Sequence, residues 1–262
     1  MARGCSPWGV ASITHIVCGV HARRRVSLSS VPDCLWHRLS RPRHKTPHSE
    51  IFTGLEASNN AISGYLGAGH AFGKGLYERG WRVRAVGALG RYDYRGTLFG
   101  AGADLGTTFD GDASYGAALI GYQFRTQALF LKLFAGVEAE DQSITPRDPE
   151  NSVQGSAVGL KLAAESWLDL SPLWFLSVDG SYGSAFQQYW SLARAVYRLS
   201  PRFSLGLEGG ALGNEEYDPG RGGGFVKANP RSLELTLSGG FTGNYLEDEP
   251  SGYASLGVYS AF

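Results

Sequence analysis

The feature that most restricts this chain is a period-two alternation of apolar and polar residues that recurs from residue 51 to residue 262. Successive side chains of a strand point to opposite faces, so this pattern specifies strands with two unlike faces. A helix would instead repeat its apolar residues every three or four positions. In 127–138, Leu129, Leu131, Leu133, Ala135 and Val137 share one parity, while Phe130, Lys132, Phe134 and Glu138 take the other. Trp81, Val83, Ala85 and Leu89 stand against Arg82 and Arg84, and Val158, Leu160, Leu162 and Ala164 against Lys161 and Glu165. Phe203, Leu205 and Leu207 alternate with Arg202, Ser204 and Glu208; Leu233, Leu235 and Leu237 alternate with Ser232, Glu234, Thr236 and Ser238. Twelve such segments are expected, near 51–58, 62–72, 80–92, 112–124, 127–138, 152–168, 172–183, 186–199, 202–212, 221–229, 231–242 and 252–262. Segments of about ten residues suit strands that cross a membrane at a tilt, and no stretch approaches the roughly 18 apolar residues of a transmembrane helix.

The connections sharpen this expectation. With both termini in the periplasm, the inner turns fall at 73–79, 125–126, 169–171, 200–201 and 230. The outer loops fall near 59–61, 93–111, 139–151, 184–185, 213–220 and 243–251. Short turns on one side and longer loops on the other are the asymmetry of bacterial outer-membrane barrels, and an even strand number brings both ends to one side. Trp81, Phe124, Trp167, Trp174, Tyr197 and Phe203 come out near the periplasmic ends, where amphipathic rings favour an interface. The last segment puts Ala254, Leu256, Val258 and the terminal Phe262 on one face, with Ser260 departing from the pattern. The expected fold is therefore all-β: a closed antiparallel up-and-down transmembrane β-barrel of about 12 strands. The competing fold is a water-soluble barrel with its apolar residues inside. Its exterior would then carry the charged parity, with many Gly and Tyr and few Lys, a poor composition for a soluble surface.

Composition separates residues 1–50 from the rest. They hold all three Cys, five of the six His, eight of the 24 Lys and Arg, and two of the 24 acidic residues, so residues 51–262 carry a formal charge of −6. The zero net charge of the whole chain hides this. A cysteine-free segment fits an oxidising envelope compartment. Residues 1–50 show no periodic apolar face, and Arg23, Arg24, Arg25, Arg41, Arg43 and Lys45 would repel compact packing. The reading is a disordered or mis-annotated extension, 1–50, before a barrel of 51–262. Residues 8–20 have the length of a secretory h-region, but Thr14 and His15 interrupt them and no small-x-small cleavage site follows. The basic run lacks the interleaved aromatics of a nucleic-acid surface, so no nucleic-acid partner is expected.

Inside such a barrel the charged parity faces the lumen. The candidates are Arg82, Arg84, Lys132, Lys161, Glu165, Arg194, Arg198, Arg202, Glu208, Lys227 and Glu234, with Glu56 and Glu138 beside them. Mixed signs point to an internal salt-bridge network before a selectivity filter. Replacing Lys161 is expected to break at most one internal ion pair, with Glu165. His70 is the only imidazole after residue 50, so a Ser-His-acid hydrolase would have to draw on it, with Ser63 and Glu56 as possible partners. Their spacing gives no support, and no enzyme is expected. One His and no Cys argue against a zinc-type site, and Asp104, Asp110 and Asp112 read as solvated loop carboxylates rather than calcium ligands. No metal or other cofactor is expected. Gly222, Gly223 and Gly224, and Gly100 with Gly102, lack the strand-turn-helix setting of a phosphate cradle and read as flexible or closely packed backbone. Tyr189 and Trp190 fit an interfacial girdle better than a sugar-stacking platform.

Several runs carry a family resemblance. They are Gly121-Tyr122-Gln123, Asp148-Pro149-Glu150-Asn151 leading to Val153 and Gly155, Gly159-Leu160-Lys161 leading to Glu165-Ser166-Trp167, and Tyr189-Trp190 leading to Arg194. The most distinctive is 206–217, which ends in Asn214, Glu215, Glu216 and Tyr217. Over 51–262 the chain resembles the cellulose biosynthesis protein BcsS family of alphaproteobacteria, with a looser match near 219–224. The resemblance implies a place in making or exporting bacterial cellulose, with outer-membrane lipid, β-glucan and other cellulose-export components as partners. It implies no catalytic mechanism. The resulting expectation is a non-enzymatic outer-membrane accessory, with a porin-like solute channel and a lipid-modifying enzyme as the alternatives.

Overall fold

A computed structural model describes residues 46–262 apart from 101–102, 217, 231 and 244–249, and leaves the side chains of 97–105 undescribed. Twelve strands follow one another: β1 (Ser49–Ser58), β2 (Ala61–Ala71), β3 (Gly80–Gly100), β4 (Ala103–Arg125), β5 (Leu129–Thr145), β6 (Gly155–Asp169), β7 (Trp174–Gly183), β8 (Tyr189–Arg198), β9 (Phe203–Gly213), β10 (Gly220–Ala228), β11 (Leu233–Gly243) and β12 (Pro250–Ala261). Each pairs antiparallel with its sequence neighbours, and β1 pairs with β12, which closes the barrel. With twelve strands, β1 begins and β12 ends at the same rim, called here the terminal rim. The opposite one is the far rim.

The alternation assigns the faces. Leu160 and Leu162 are 68 % and 57 % exposed while Lys161 between them is 3 % exposed, and the same division runs through Leu205, Leu207 and Glu208. Among the described side chains, the outward positions of Asp, Glu, Lys and Arg within strands are Arg91, Asp93, Arg95, Asp110, Asp112 and Asp141, all on the far ends of β3–β5. Toward the terminal rim, the outer wall is mainly Leu, Val, Ile, Ala, Gly and aromatic residues, the belt a bilayer requires, with Ser49, Thr53, Ser166, Ser260 and His70 among them. Two outward hydroxyls in the belt are tied to backbone carbonyls: Thr53 donates to Tyr65 O at 2.6 Å and Ser166 to Val178 O at 2.8 Å. Such pairing removes the cost of an unsatisfied group in hydrocarbon.

The aromatic girdle forms with one exception. Trp81, Phe124, Trp174 and Phe203 are exposed on the outer wall, and Trp174 lies 4.9 Å from Tyr197. Trp167 instead points inward and stacks on Phe175 at 3.5 Å, because it shares the parity of Lys161 and Glu165.

Among the boundaries that differ from expectation, three have a clear physical reason. The outer loop expected at 93–111 is continued hairpin: Tyr92, Tyr94 and Phe109 keep the inner face apolar, while outward charges beyond the belt give the segment the composition of a loop. For the same reason β5 continues to Thr145. At the other end, β1 starts at Ser49, before the expected boundary, since Glu50 pairs with Ala261 across the β1–β12 seam. The expected loop 243–251 lies largely outside the described residues.

Candidate functional site in the lumen

The lumen is filled by ion pairs cross-bracing the wall. Glu165 faces Lys132 directly across β5–β6, with Lys132 Nζ 2.9 Å from its carboxylate, and it also pairs with Arg84. Arg84 reaches Glu50 at 3.4 Å and lies over the ring of Phe134 at 4.4 Å. The expected Lys161–Glu165 pair is therefore not formed. Lys161 Nζ lies 3.1 Å from Glu138, on the diagonal across β5–β6, and Glu138 also accepts from Tyr115 Oη at 3.2 Å and Ala185 N at 3.1 Å.

A second knot forms on the opposite wall. Glu208 takes Arg194 at 2.7 Å, Arg221 at 3.6 Å and Tyr253 Oη at 2.7 Å, and Arg221 continues to Glu56 at 3.1 Å. Lys227 pairs with Glu234 at 2.7 Å. Buried pairs of this kind contribute little net stability against apolar filling, yet removing one partner leaves an uncompensated charge. Glycine makes room for the arrangement at Gly183, where an added Cβ would overlap the Glu138 carboxylate.

Both mouths are covered. At the terminal rim, the 72–79 connection turns inward at Gly73 (φ 89°) and Gly75 (φ 111°) and buries Leu76. Arg82 and Gln123 donate to Leu76 O, both also reach Glu78 O, and Arg125 donates to Tyr77 O. Between this loop and the ion pairs remains a cavity of about 40 Å³. At roughly 10–15 Å³ for each water centre it holds a few waters.

At the far rim, three connections lock together. Asp148 accepts from Tyr94 Oη at 2.7 Å, Asn151 donates to Tyr94 Oη at 3.3 Å, and Val153 is wholly buried beneath them. Ser152 N bonds Glu216 at 3.3 Å, and Gln187 bonds Glu215 at 2.6 Å. Gln188 donates to Glu140, which also accepts from Gln142. Phe186 (φ 52°) and Gln187 (φ 50°) take the left-handed conformation, uncommon for non-glycine residues, where the turn dips toward Glu138 and Glu140.

These contacts place the candidates. Arg82, Arg84, Lys132, Lys161, Glu165, Arg194, Glu208, Lys227 and Glu234 are all buried in the lumen. Arg198 is half-buried at the terminal rim, paired with Asp169 over Phe175. Arg202 is a correction: it lies exposed in the turn before β9, where pairing has ended and parity no longer fixes direction. Asp148, Asn151, Asn214, Glu215 and Glu216 gather at the far-rim cap, with Glu216 N on Asn214 Oδ1 at 2.9 Å. Tyr217 lies outside the described residues. Trp190 points inward and is buried, while Tyr189 opens β8 at the far rim and donates to Asp218.

The hydrolase constellation is not assembled. Ser63 and Glu56 are register partners toward the far rim, whereas His70 is exposed near the terminal rim, seven residues along β2 from Ser63. At about 3.3 Å per residue that separation is near 23 Å. His70 Nδ1 instead lies 3.0 Å from Ser49 Oγ. Among the described residues, no three His, Cys, Asp or Glu are grouped to hold a metal. Asp112 pairs with Arg91 on the outer wall; the side chain of Asp104 lies outside the described residues.

Alternation missed Glu50, Glu140, Asp179 and Arg221, all buried in the lumen. Parity would have found Arg221 from Lys227, six residues on.

A closed twelve-strand barrel with an apolar outer belt and a charged interior is an outer-membrane type of β-barrel. It resembles solved structures at low sequence identity. The transport unit of the autotransporter AIDA-I from Escherichia coli matches at 10 % identity and a TM-score of 0.50, over 87 % of this chain and 93 % of that one. The KdgM porin in complex with disordered oligogalacturonate gives 9 % and 0.46, over 81 % and 99 %. Outer membrane phospholipase A from Escherichia coli gives 10 % and 0.44, over 84 % and 93 %. Comparison with curated proteins gives no match. The family model for the cellulose biosynthesis protein BcsS matches residues 51–262, and the chain belongs to that family. Family and fold together make it a cellulose-associated barrel of the outer-membrane type.

Proposed function

We propose that the protein sits in the bacterial outer membrane with both termini in the periplasm, as a non-enzymatic accessory to cellulose production or secretion. The observation that carries this reading is the filled lumen: buried ion pairs cross it, and folded connections cover both mouths. Among the described residues, ion pairs and capping connections occupy the interior that a glucan chain or a hydrated solute would need, which disfavours a conduit or a porin-like channel. The far-rim cap, where the family-motif residues converge, is the surface for β-glucan or other cellulose-export components. Planar-bilayer recording tests the reading. Purified barrel should give no steady ion conductance, while deleting its gene should lower or disorganise the cellulose made. A stable pore of defined conductance would overturn the accessory role in favour of a channel.

A further inference from the structure

The outer wall over β2–β5 is hollowed. Ala85 faces Ala118 and Gly87 faces Gly116 across the β3–β4 ladder, and all four project outward. Leu66 bounds this floor on β2 and Val137 bounds it on β5. Two apolar concavities lie along it, of about 780 Å³ toward the terminal rim and about 850 Å³ toward the far rim. From β2 to β5 the floor of the trough spans three strand spacings, about 14 Å, and residues of β1 and β6 line its margins. A second barrel would present a convex wall, rest on Leu66 and Val137 and leave the floor unfilled. Flexible linear chains would fill it, and close packing favours whatever reaches the floor.

The ends of the trough differ in chemistry. At the terminal end stand the Ser49 hydroxyl and the exposed His70 imidazole, 3.0 Å apart; one donates to the other, and the pair keeps one hydrogen-bond donor, the His70 Nε2–H or the Ser49 O–H, to offer outward. At the far end stands the exposed Asp141 carboxylate, which would repel an anion. We infer that the trough binds one phospholipid, its phosphate-bearing headgroup at Ser49 and His70 and its acyl chains on the Ala85–Ala118 floor. This site rests on the membrane placement proposed above.

The test uses full-length protein extracted from membranes in mild detergent and weighed by native mass spectrometry. Protein found only in the soluble fraction would sink the membrane placement; the lipid site is judged on the membrane-extracted barrel. Wild type should retain one phospholipid per barrel. Ala85→Leu with Ala118→Leu, which fills the floor with lipid-compatible side chains, should reduce retention about tenfold, a change of about 1.4 kcal/mol. His70→Ala should lower it from the headgroup end without touching the floor, and covers the case in which the double variant does not fold. Ala193→Leu, outward on β8, should retain lipid as wild type does. A lipid-free wild type, or retention indifferent to both the floor and His70, overturns the site. So does a wild-type dimer that the floor variant turns into a monomer, since the trough would then be a protein interface.

Discussion

Lys161 Nζ lies 3.1 Å from Glu138 Oε2, and the Glu138 side chain is wholly shielded from solvent. On sequence alone, replacing Lys161 should cost less than placing a charge at its outward neighbour Leu162. The pairing makes the two costs comparable. Leu162→Arg puts a cation in the apolar belt, for about 2–4 kcal/mol at the midplane. Lys161→Met strands a buried carboxylate, for about 3–5 kcal/mol. Adding Glu138→Gln to Lys161→Met should recover most of the loss, because the neutral amide oxygen still accepts from Ala185 N while the amide nitrogen donates to Tyr115 Oη. Folded fraction in lipid vesicles decides it; no recovery in the double variant would mean that the two side chains are not coupled.

Glu208 should be the most damaging single carboxylate to remove. It holds two buried guanidiniums, Arg194 and Arg221, and the Tyr253 hydroxyl. Glu208→Ala should destabilise by about 3–5 kcal/mol. Replacing both Lys227 and Glu234 with neutral residues of similar size should be milder, since no charge is left alone. Denaturant midpoints in detergent rank the two, and a ranking in the opposite order would show that Glu208 is not the hub.

Gly183 and Gly116 give a matched pair. A Cβ at Gly183 overlaps the Glu138 carboxylate, whereas at Gly116 the nearest atom is Val86 O at 4.0 Å. Gly183→Ala should cost about 1–3 kcal/mol by displacing a packed group, and Gly116→Ala should be near neutral by thermal unfolding. Equal effects would indicate that Glu138 moves aside freely.

The 72–79 connection is anchored chiefly by wall side chains reaching its carbonyls. Arg82→Ala with Gln123→Ala removes donors to Leu76 O and Glu78 O. Trypsin should then cut faster at Lys74 or Arg79, with the barrel still intact on heat-modifiability gels. Unchanged cleavage would mean that the contact of Leu76 N with Pro47 O, at 2.8 Å, suffices.

The barrel, its strand number and the facing of Lys132, Lys161 and Glu234 were legible because period-two alternation is a local signal that burial obeys strand by strand. What alternation cannot give is register between strands. Glu165 meets Lys132 and Arg84, not Lys161, because the β5–β6 register sets Lys132 opposite it. The inward fold of 72–79 was illegible too: its contacts run from barrel-wall side chains to backbone carbonyls, which leave no residue pattern in the loop itself. Arg202 is misplaced by parity extended back beyond the start of β9 into the preceding turn.

The start of β1 at Ser49 was illegible for a related reason, and it yields the last prediction. Two residues, Ser49 and Glu50, are too few to display alternation beside the basic segment before them. Yet Glu50 is 3 % exposed, Arg84 Nη2 lies 3.4 Å from it, and Tyr259 Oη donates to it at 3.4 Å. Ser49 and Phe262 exchange backbone hydrogen bonds, each at 2.9 Å, and these fasten the closing seam. Fusing a working signal peptide directly to Thr46 should therefore give a heat-modifiable barrel, whereas fusing it to Ile51 removes the Glu50 carboxylate and the end of the seam. The Ile51 fusion should fold less completely after verified export, with Arg84 losing one of its two carboxylates. A fusion carrying only Glu50→Gln separates the charge from the seam. If it matches the Thr46 fusion, the loss at Ile51 belongs to the backbone pairs with Phe262. If all three fold equally, β1 does not need its first two residues and the barrel begins where the sequence pattern placed it.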